Sequence, residues 1–125
     1  MMSRYFYDSY ALVSYLNGSK NYERYFRNCT GVTTLYNVLE VYYSLLRDGA
    51  SESELKSVLH FLQALTVYPS FDDIPPVAIF KFKSKNRHFS YADCLGYALA
   101  QKYHLTFLTG DEGFRDISGV EFVKE

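Results

Sequence analysis

A chain of 125 residues that is 48% hydrophobic, 18% aromatic and 22% charged has the composition of one compact domain, which excludes a disordered tail and a repeat array. Thirteen Lys and Arg against fourteen Asp and Glu leave a net charge of −1, so no global positive field recruits nucleic acid or an anionic membrane, and any polyanion must be held locally. Asp8, Asn17, Glu40 and Arg47 interrupt the apolar runs well before the roughly 20 residues of a membrane-spanning helix. The start, MMSRYFYDSY, has neither a long apolar segment nor a small-residue cleavage site, so a soluble, cytoplasmic domain is expected. Cys29 and Cys94 lie far apart without CxxC spacing and read as buried thiols rather than as a disulfide or a zinc site.

In chain order, residues 4–7 form a β-favouring aromatic run that ends at Asp8, and Ala11, Leu12, Tyr15 and Leu16 then recur at helical spacing. Asn17-Gly18-Ser19 stops that helix, and residues 21–28 predict a short amphipathic helix with Tyr22, Tyr25 and Phe26 inward. Residues 31–33 are a brief strand. From Thr34, an N-cap, the positions Leu35, Val38, Leu39, Tyr42, Leu45 and Leu46 follow a helical period up to Asp48-Gly49. Ser51 with Glu54 makes a capping box for a helix that buries Leu55, Val58, Leu59 and Leu62, and residues 65–68 form a strand ended by Pro69.

The acids and prolines of residues 72–76 start another helix, with Val77, Ile79, Phe80 and Phe82 as its apolar set and Lys81, Lys83, Lys85 and Arg87 making its C-terminal end basic. Ser90 with Asp93 is a further capping box, opening a helix through Leu95, Ala98, Leu99 and Tyr103. Residues 105–109 read as a strand buried on both faces, residues 110–113 break it, and a helical turn at 114–117 leads to a last strand at 120–123. Strands separated by helices throughout predict a three-layer α/β/α domain around a central, mostly parallel sheet. No GxGxxG or GxxxxGK[ST] sequence is present, which removes support for a dinucleotide or P-loop site.

In such a sheet, ligands bind beyond the carboxyl ends of the strands, where the order of connection reverses. Asp8 and Asp111 each end a predicted strand and would converge there if those strands are neighbours. Each also has a plain structural role open to it, Asp8 as a helix cap and Asp111 as a turn residue in TGDEG. Glu40 sits on the polar face of its helix, where a solvated glutamate paired with Ser44 or Arg47 is the simpler reading. The capping box by itself accounts for Asp93, and Asp116 can line the same rim or face water beside Arg115. His60, His88 and His104 form no HxH or HExxH pattern, which argues against a zinc hydrolase.

The order of YFYDSYALVSYL, TTLYNVLEVYYSLL and HFSYADCLGYALAQKYHLTFLTGDEGFRDISGVEFV resembles the PIN-domain family of ribonucleases, in particular its small prokaryotic VapC-like toxins. Asp8 followed by Ser9, mid-helix Glu40, Asp93 opening a helix, and Asp111 in LTFLTGDEGF match the family's four acids in order and in context. The aromatic YFYDSY start departs from the aliphatic strand usual there. The resemblance implies a PIN-like fold and hydrolysis of RNA to 5′-phosphate and 3′-hydroxyl ends. It implies Asp8, Asp93 and Asp111 as metal ligands, direct or through water, Glu40 as ligand or water-orienting base, and Asp116 as an additional ligand present in part of the family. Ser9 and Thr109 would support them by hydrogen bonding.

Clustered carboxylates are tolerable in a partly desolvated cleft only if a cation or protons compensate their repulsion, and oxygen-only ligands select a hard ion, Mg²⁺ or Mn²⁺. Lys81, Lys83, Lys85 and Arg87 are the candidate RNA contacts, against a plain solvated helix face. The expected partners are an RNA substrate and an antitoxin protein, and the density of Tyr and Phe on the early helices suggests a homodimer. A PIN-like module that only binds RNA or protein, without catalysis, is the alternative.

Overall fold

The computed structural model describes residues 4–125; residues 1–3, where the reading of the N-terminus begins, lie outside the described residues. Five strands, β1 (Arg4–Tyr7), β2 (Thr30–Thr34), β3 (Thr66–Val67), β4 (Thr106–Thr109) and β5 (Val120–Phe122), form one sheet in the order β3-β2-β1-β4-β5. All four pairings are parallel. The helices between them are α1 (Ser9–Leu16), α2 (Glu23–Arg27), α3 (Leu35–Arg47), α4 (Glu52–Gln63), α5 (Ile74–Lys83) and α6 (Tyr91–Lys102). This is the three-layer α/β/α arrangement expected from alternating strands and helices.

Alternation along the strands divides the core in two. Tyr5, Tyr7 and Leu108 point to the layer of α1 to α4, where they meet Leu12, Tyr22, Tyr25, Val41 and Leu62. Phe6 and Phe107 point the other way, into Phe89, Leu99, Phe114 and the helices α5 and α6. Phe6 and Phe107 stack with centroids 5.6 Å apart, so the two central strands are joined by a ring pair as well as by their ladder. Helix α6 can lie close on this face because Gly96 has no side chain; a Cβ there would come within 2.6 Å of the Phe6 ring. That close approach also fixes the start of α6, and with it Asp93, over the end of β1.

Three helices bury only part of the apolar set expected of them. On α3 the buried positions are Asn37, Val38, Val41 and Leu45, whereas Leu35, Leu39 and Leu46 are exposed. The polar Asn37 enters the interior because its side chain is fully engaged there: Thr34 Oγ1 donates to Asn37 Oδ1 at 2.7 Å and Asn37 Nδ2 donates to Ser9 Oγ at 2.9 Å. On α5, Val77 and Phe80 pack against the second core cluster, while Ile79 and Phe82 are exposed. Leu59 of α4 is also exposed. Cys29 and Cys94 are free thiols, Cys94 buried as expected and Cys29 only partly so. No helix among the described residues is long and apolar enough to cross a membrane.

Candidate active site

The order β3-β2-β1-β4-β5 reverses its direction of connection between β1 and β4, and a crevice opens beyond the carboxyl ends of these two strands. It is an open cleft of about 670 Å³ whose lining includes Asp8, Glu40, Asp93 and Asp111, with Ser9 and Lys124. Four acids from the ends of β1 and β4, the middle of α3 and the first turn of α6 therefore share one wall. Pairing of β1 with β4 supplies the neighbourhood that sequence spacing left open.

Asp8 is the most constrained of the four. It occupies the N-cap position of α1, but its carboxylate makes no cap hydrogen bond. Instead it accepts from Thr109 Oγ1 at 2.7 Å and is only 3% exposed. Burial pushes its pKa up from the ordinary 3.8 to about 7, reinforced by the charges of Asp93 and Glu40 and opposed by the hydrogen bonds from Thr109 and the Ser9 backbone. Thr109, itself fully buried, also accepts from the Asp111 backbone N–H at 3.1 Å. One hydroxyl thus ties the ends of β1 and β4 together at the site.

The remaining acids combine structural and site roles. Asp93 completes the expected capping box, accepting from the Ser90 N–H at 2.9 Å through Oδ2. Burial raises its pKa, with the capping bonds opposing; the Asp111 charge raises it further and the Lys81 ammonium lowers it. Asp111 caps the following 3-10 turn by accepting from the Gly113 N–H through Oδ1 at 3.1 Å. Glu40 is exposed on α3 and accepts from Ser9 Oγ at 2.6 Å through Oε1. It does not pair with Arg47, which instead bonds Asp48 and Ser44. Among the described residues, each of these three uses one carboxylate oxygen in its hydrogen bonds, which leaves the other for a cation or its water.

The donors facing the cleft are oxygens, with no His or Cys among the lining residues. This chemistry fits a hard divalent ion, as does the buried carboxyl of Asp8, which a cation would hold ionised. Among the described residues, no three Asp, Glu, His or Cys side chains are grouped closely enough to grip one ion directly. The cleft therefore suits an ion bound by one or two carboxylates that keeps several waters, as Mg²⁺ does.

Asp116 does not join the cluster. It is engaged by Arg87 in a two-pronged pair, Nη1 to Oδ1 at 2.7 Å and Nη2 to Oδ2 at 3.1 Å. This pairing lowers the Asp116 pKa, satisfies both of its oxygens and withdraws Arg87 from the set of free cations. Sequence reading missed three contributors. Asn37 positions Ser9, which in turn holds Glu40. Glu112 lines the rim, paired with Arg115. Lys124 reaches Gly110 O at 3.1 Å because β5 and the segment after it run beside β4, with the Val123 N–H bonded to Thr109 O. Asn37, one turn from Glu40 on the helix that carries it, had a legible signal; Lys124 had none, since only sheet order brings it in.

A PIN domain family model matches residues 5–120, and the chain belongs to the PIN domain family. No curated protein matches the sequence at a significant level. Among solved structures, the fold is similar to that in a toxin-antitoxin complex from Klebsiella pneumoniae, with a TM-score of 0.78 at 16% identity, covering 98% of each chain. It is also similar to Mycobacterium tuberculosis VapC20, described as a sarcin-ricin loop cleaving toxin, with a TM-score of 0.71 at 15% identity, covering 97% of this chain and 98% of that one.

Proposed function

We propose that the chain is a divalent-metal-dependent endoribonuclease, the toxin of a VapBC-type toxin-antitoxin pair acting in the cytoplasm. The observation that carries this reading is the meeting of Asp8, Glu40, Asp93 and Asp111 in one cleft at the switch point of a PIN-family sheet. Likeness in fold to a chain of a toxin-antitoxin complex and to a sarcin-ricin loop cleaving toxin supports the choice of RNA as substrate and of an antitoxin as partner.

Asp8, Asp93 and Asp111 would hold Mg²⁺ or Mn²⁺, directly or through water. Bound there, the ion supplies charge stabilisation at the phosphodiester and a more acidic water. The chain's own residues do the positioning. Glu40, its Oε1 fixed by Ser9 and Ser9 in turn by Asn37, orients the attacking water and accepts its proton at Oε2 as the bond from phosphorus to the 3′-oxygen breaks, and that departing oxygen takes a proton from solvent water. Thr109 keeps Asp8 and Asp111 at a fixed separation. Lys124, which lies 3.5 Å from Glu112, tempers the negative charge of the acidic rim that RNA must approach.

RNA cleavage by the purified chain should vanish in chelator and return on adding Mn²⁺ or Mg²⁺. Calorimetric Mn²⁺ affinity should fall at least about tenfold in Asp8→Asn, Asp93→Asn and Asp111→Asn, with a smaller loss in Glu40→Gln. That no three Asp, Glu, His or Cys side chains among the described residues are grouped to hold an ion favours a second reading, a PIN module that binds RNA or protein without cutting. Equal Mn²⁺ affinity in wild type and all four variants would establish that alternative.

The homodimer expected from the sequence has a specific face in this proposal. Leu35, Leu39, Tyr43 and Leu46 lie along one side of α3, each more than half exposed, and an apolar stripe of this size is unusual on a monomer. Sedimentation should give a dimer for wild type and a monomer for Leu39→Glu. An unchanged mass for that variant would remove α3 from the interface.

A further inference from the structure

Next to the acidic cleft lies a second concavity, of about 550 Å³, lined by Lys81, Phe82, Lys85, His88, Phe89 and Tyr91. The two are joined through one short segment: Ser90 lines the cleft, and its neighbours Phe89 and Tyr91 line the concavity. Lys81 links them electrostatically, since its ammonium acts on the Asp93 carboxylate.

The lining is cationic and aromatic in a chain whose net charge is −1, and no carboxylate is among its residues. Lys81 Nζ sits 4.6 Å from the centroid of the Tyr91 ring and Lys85 Nζ 5.0 Å from that of Phe82. Lys81 is held in place by donating to Phe89 O at 2.7 Å. Phe82 and Tyr91 are 71% and 76% exposed, so beyond the face that its lysine covers each ring keeps surface open to solvent instead of packing in the core. His88 adopts a left-handed backbone, φ 59°, a conformation uncommon for a residue with a side chain. It reverses the chain between the basic stretch and the buried Phe89. Arg87 belongs to the pair with Asp116, and Lys83 lies outside the lining. Of the four basic residues in this stretch, Lys81 and Lys85 are therefore the ones that build a site.

A ring face beside an ammonium group matches the two surfaces of an unpaired nucleotide, its base and its phosphate. Bases inside a duplex present no open face. We propose that this concavity seats one unpaired nucleotide of a single-stranded RNA that runs into the acidic cleft, with the base stacked on Phe82 or Tyr91 and a phosphate on Lys85 and Lys81. The location of the cut strand rests on the nuclease reading; the nucleotide seat itself does not.

The test is fluorescence anisotropy of a labelled single-stranded oligoadenylate on the full chain in chelator, so that no strand is cut. Tyr91→Leu or Phe82→Leu, which keep apolar volume and lose the π face, should weaken binding about five- to a hundredfold. Lys85→Gln should reduce the slope of log affinity against log salt by about 0.7. Oligoadenylate annealed to oligouridylate should bind more weakly than the single strand. Thermal melts of the same variants should stay close to wild type, because both rings are exposed. Unchanged affinity in both leucine variants, or equal binding of duplex and single strand, would overturn the proposal, as would a loss confined to Lys85→Gln, which marks nonspecific charge. Cleavage assayed in metal on the same proteins separates the two readings. Binding that depends on the rings, in a chain that never cuts, would keep the seat and reject the nuclease. Cutting that ignores the rings would do the reverse.

Discussion

Asp8→Asn is expected to abolish RNA cleavage and, at the same time, to stabilise the metal-free protein above neutral pH. Both effects follow from one buried carboxyl. In the folded chain its pKa is pushed up to about 7 from an ordinary 3.8, so between these values the folded state holds a proton that the unfolded state has released. Stability must then fall as pH rises through this window. The loss amounts to on the order of 4 kcal/mol, shared with Asp93 because the two carboxyls repel. Below about pH 4 both states are protonated and the penalty disappears; above about pH 7 it is complete. Denaturant melts in chelator should show this decline in wild type and a flatter profile in Asp8→Asn, whose neutral amide can still accept from Thr109. Saturating Mn²⁺ should restore stability most at the high-pH end, where it does not compete with the proton. Metal-free wild type whose stability is constant or rising between about pH 5 and pH 7 would contradict the buried-acid account.

Thr109→Val is expected to cost about 1–3 kcal/mol of stability although the shape of the side chain is almost unchanged. The hydroxyl donates to Asp8 Oδ2 and accepts from the Asp111 N–H. Its removal leaves a buried carboxylate and a backbone N–H without these partners. It also takes away a hydrogen bond that favours the ionised Asp8, so the Asp8 pKa should move up further and Mn²⁺ affinity near neutral pH should drop. Thr109→Ser keeps the hydroxyl and should recover metal affinity even if the lost methyl lowers stability. A Thr109→Val protein that binds Mn²⁺ as tightly as wild type would show that the hydroxyl ties the strands without serving the site.

What the amino-acid order determined by itself is local. Alternating aromatic strands, the capping signals at Thr34, Ser51 and Ser90 and the Gly-containing breaks are short-range patterns. They specify β1 to β5 and α1 to α6 to within a residue or two at most ends. The positions of Asp8 and Asp111 at strand ends were legible for the same reason. Their convergence was not, because β1 and β4 are separated by about a hundred residues and pair only through the sheet order.

Tertiary packing alone decided the properties that matter for chemistry. Asp8 became a buried, proton-holding acid because α1, α6 and β4 close around it, a desolvation that no neighbouring residue encodes. Asn37 went inward in place of Leu39 because the hydroxyls of Thr34 and Ser9 satisfy its amide there, and helical periodicity counts apolar residues without counting hydrogen-bond partners. Arg87 and Asp116 cancelled each other across 29 positions of sequence, while Lys124 came to the rim through the last strand. Hydrophobic spacing along a chain is a one-dimensional signal; burial, charge pairing and proton affinity depend on which distant segments exclude water together.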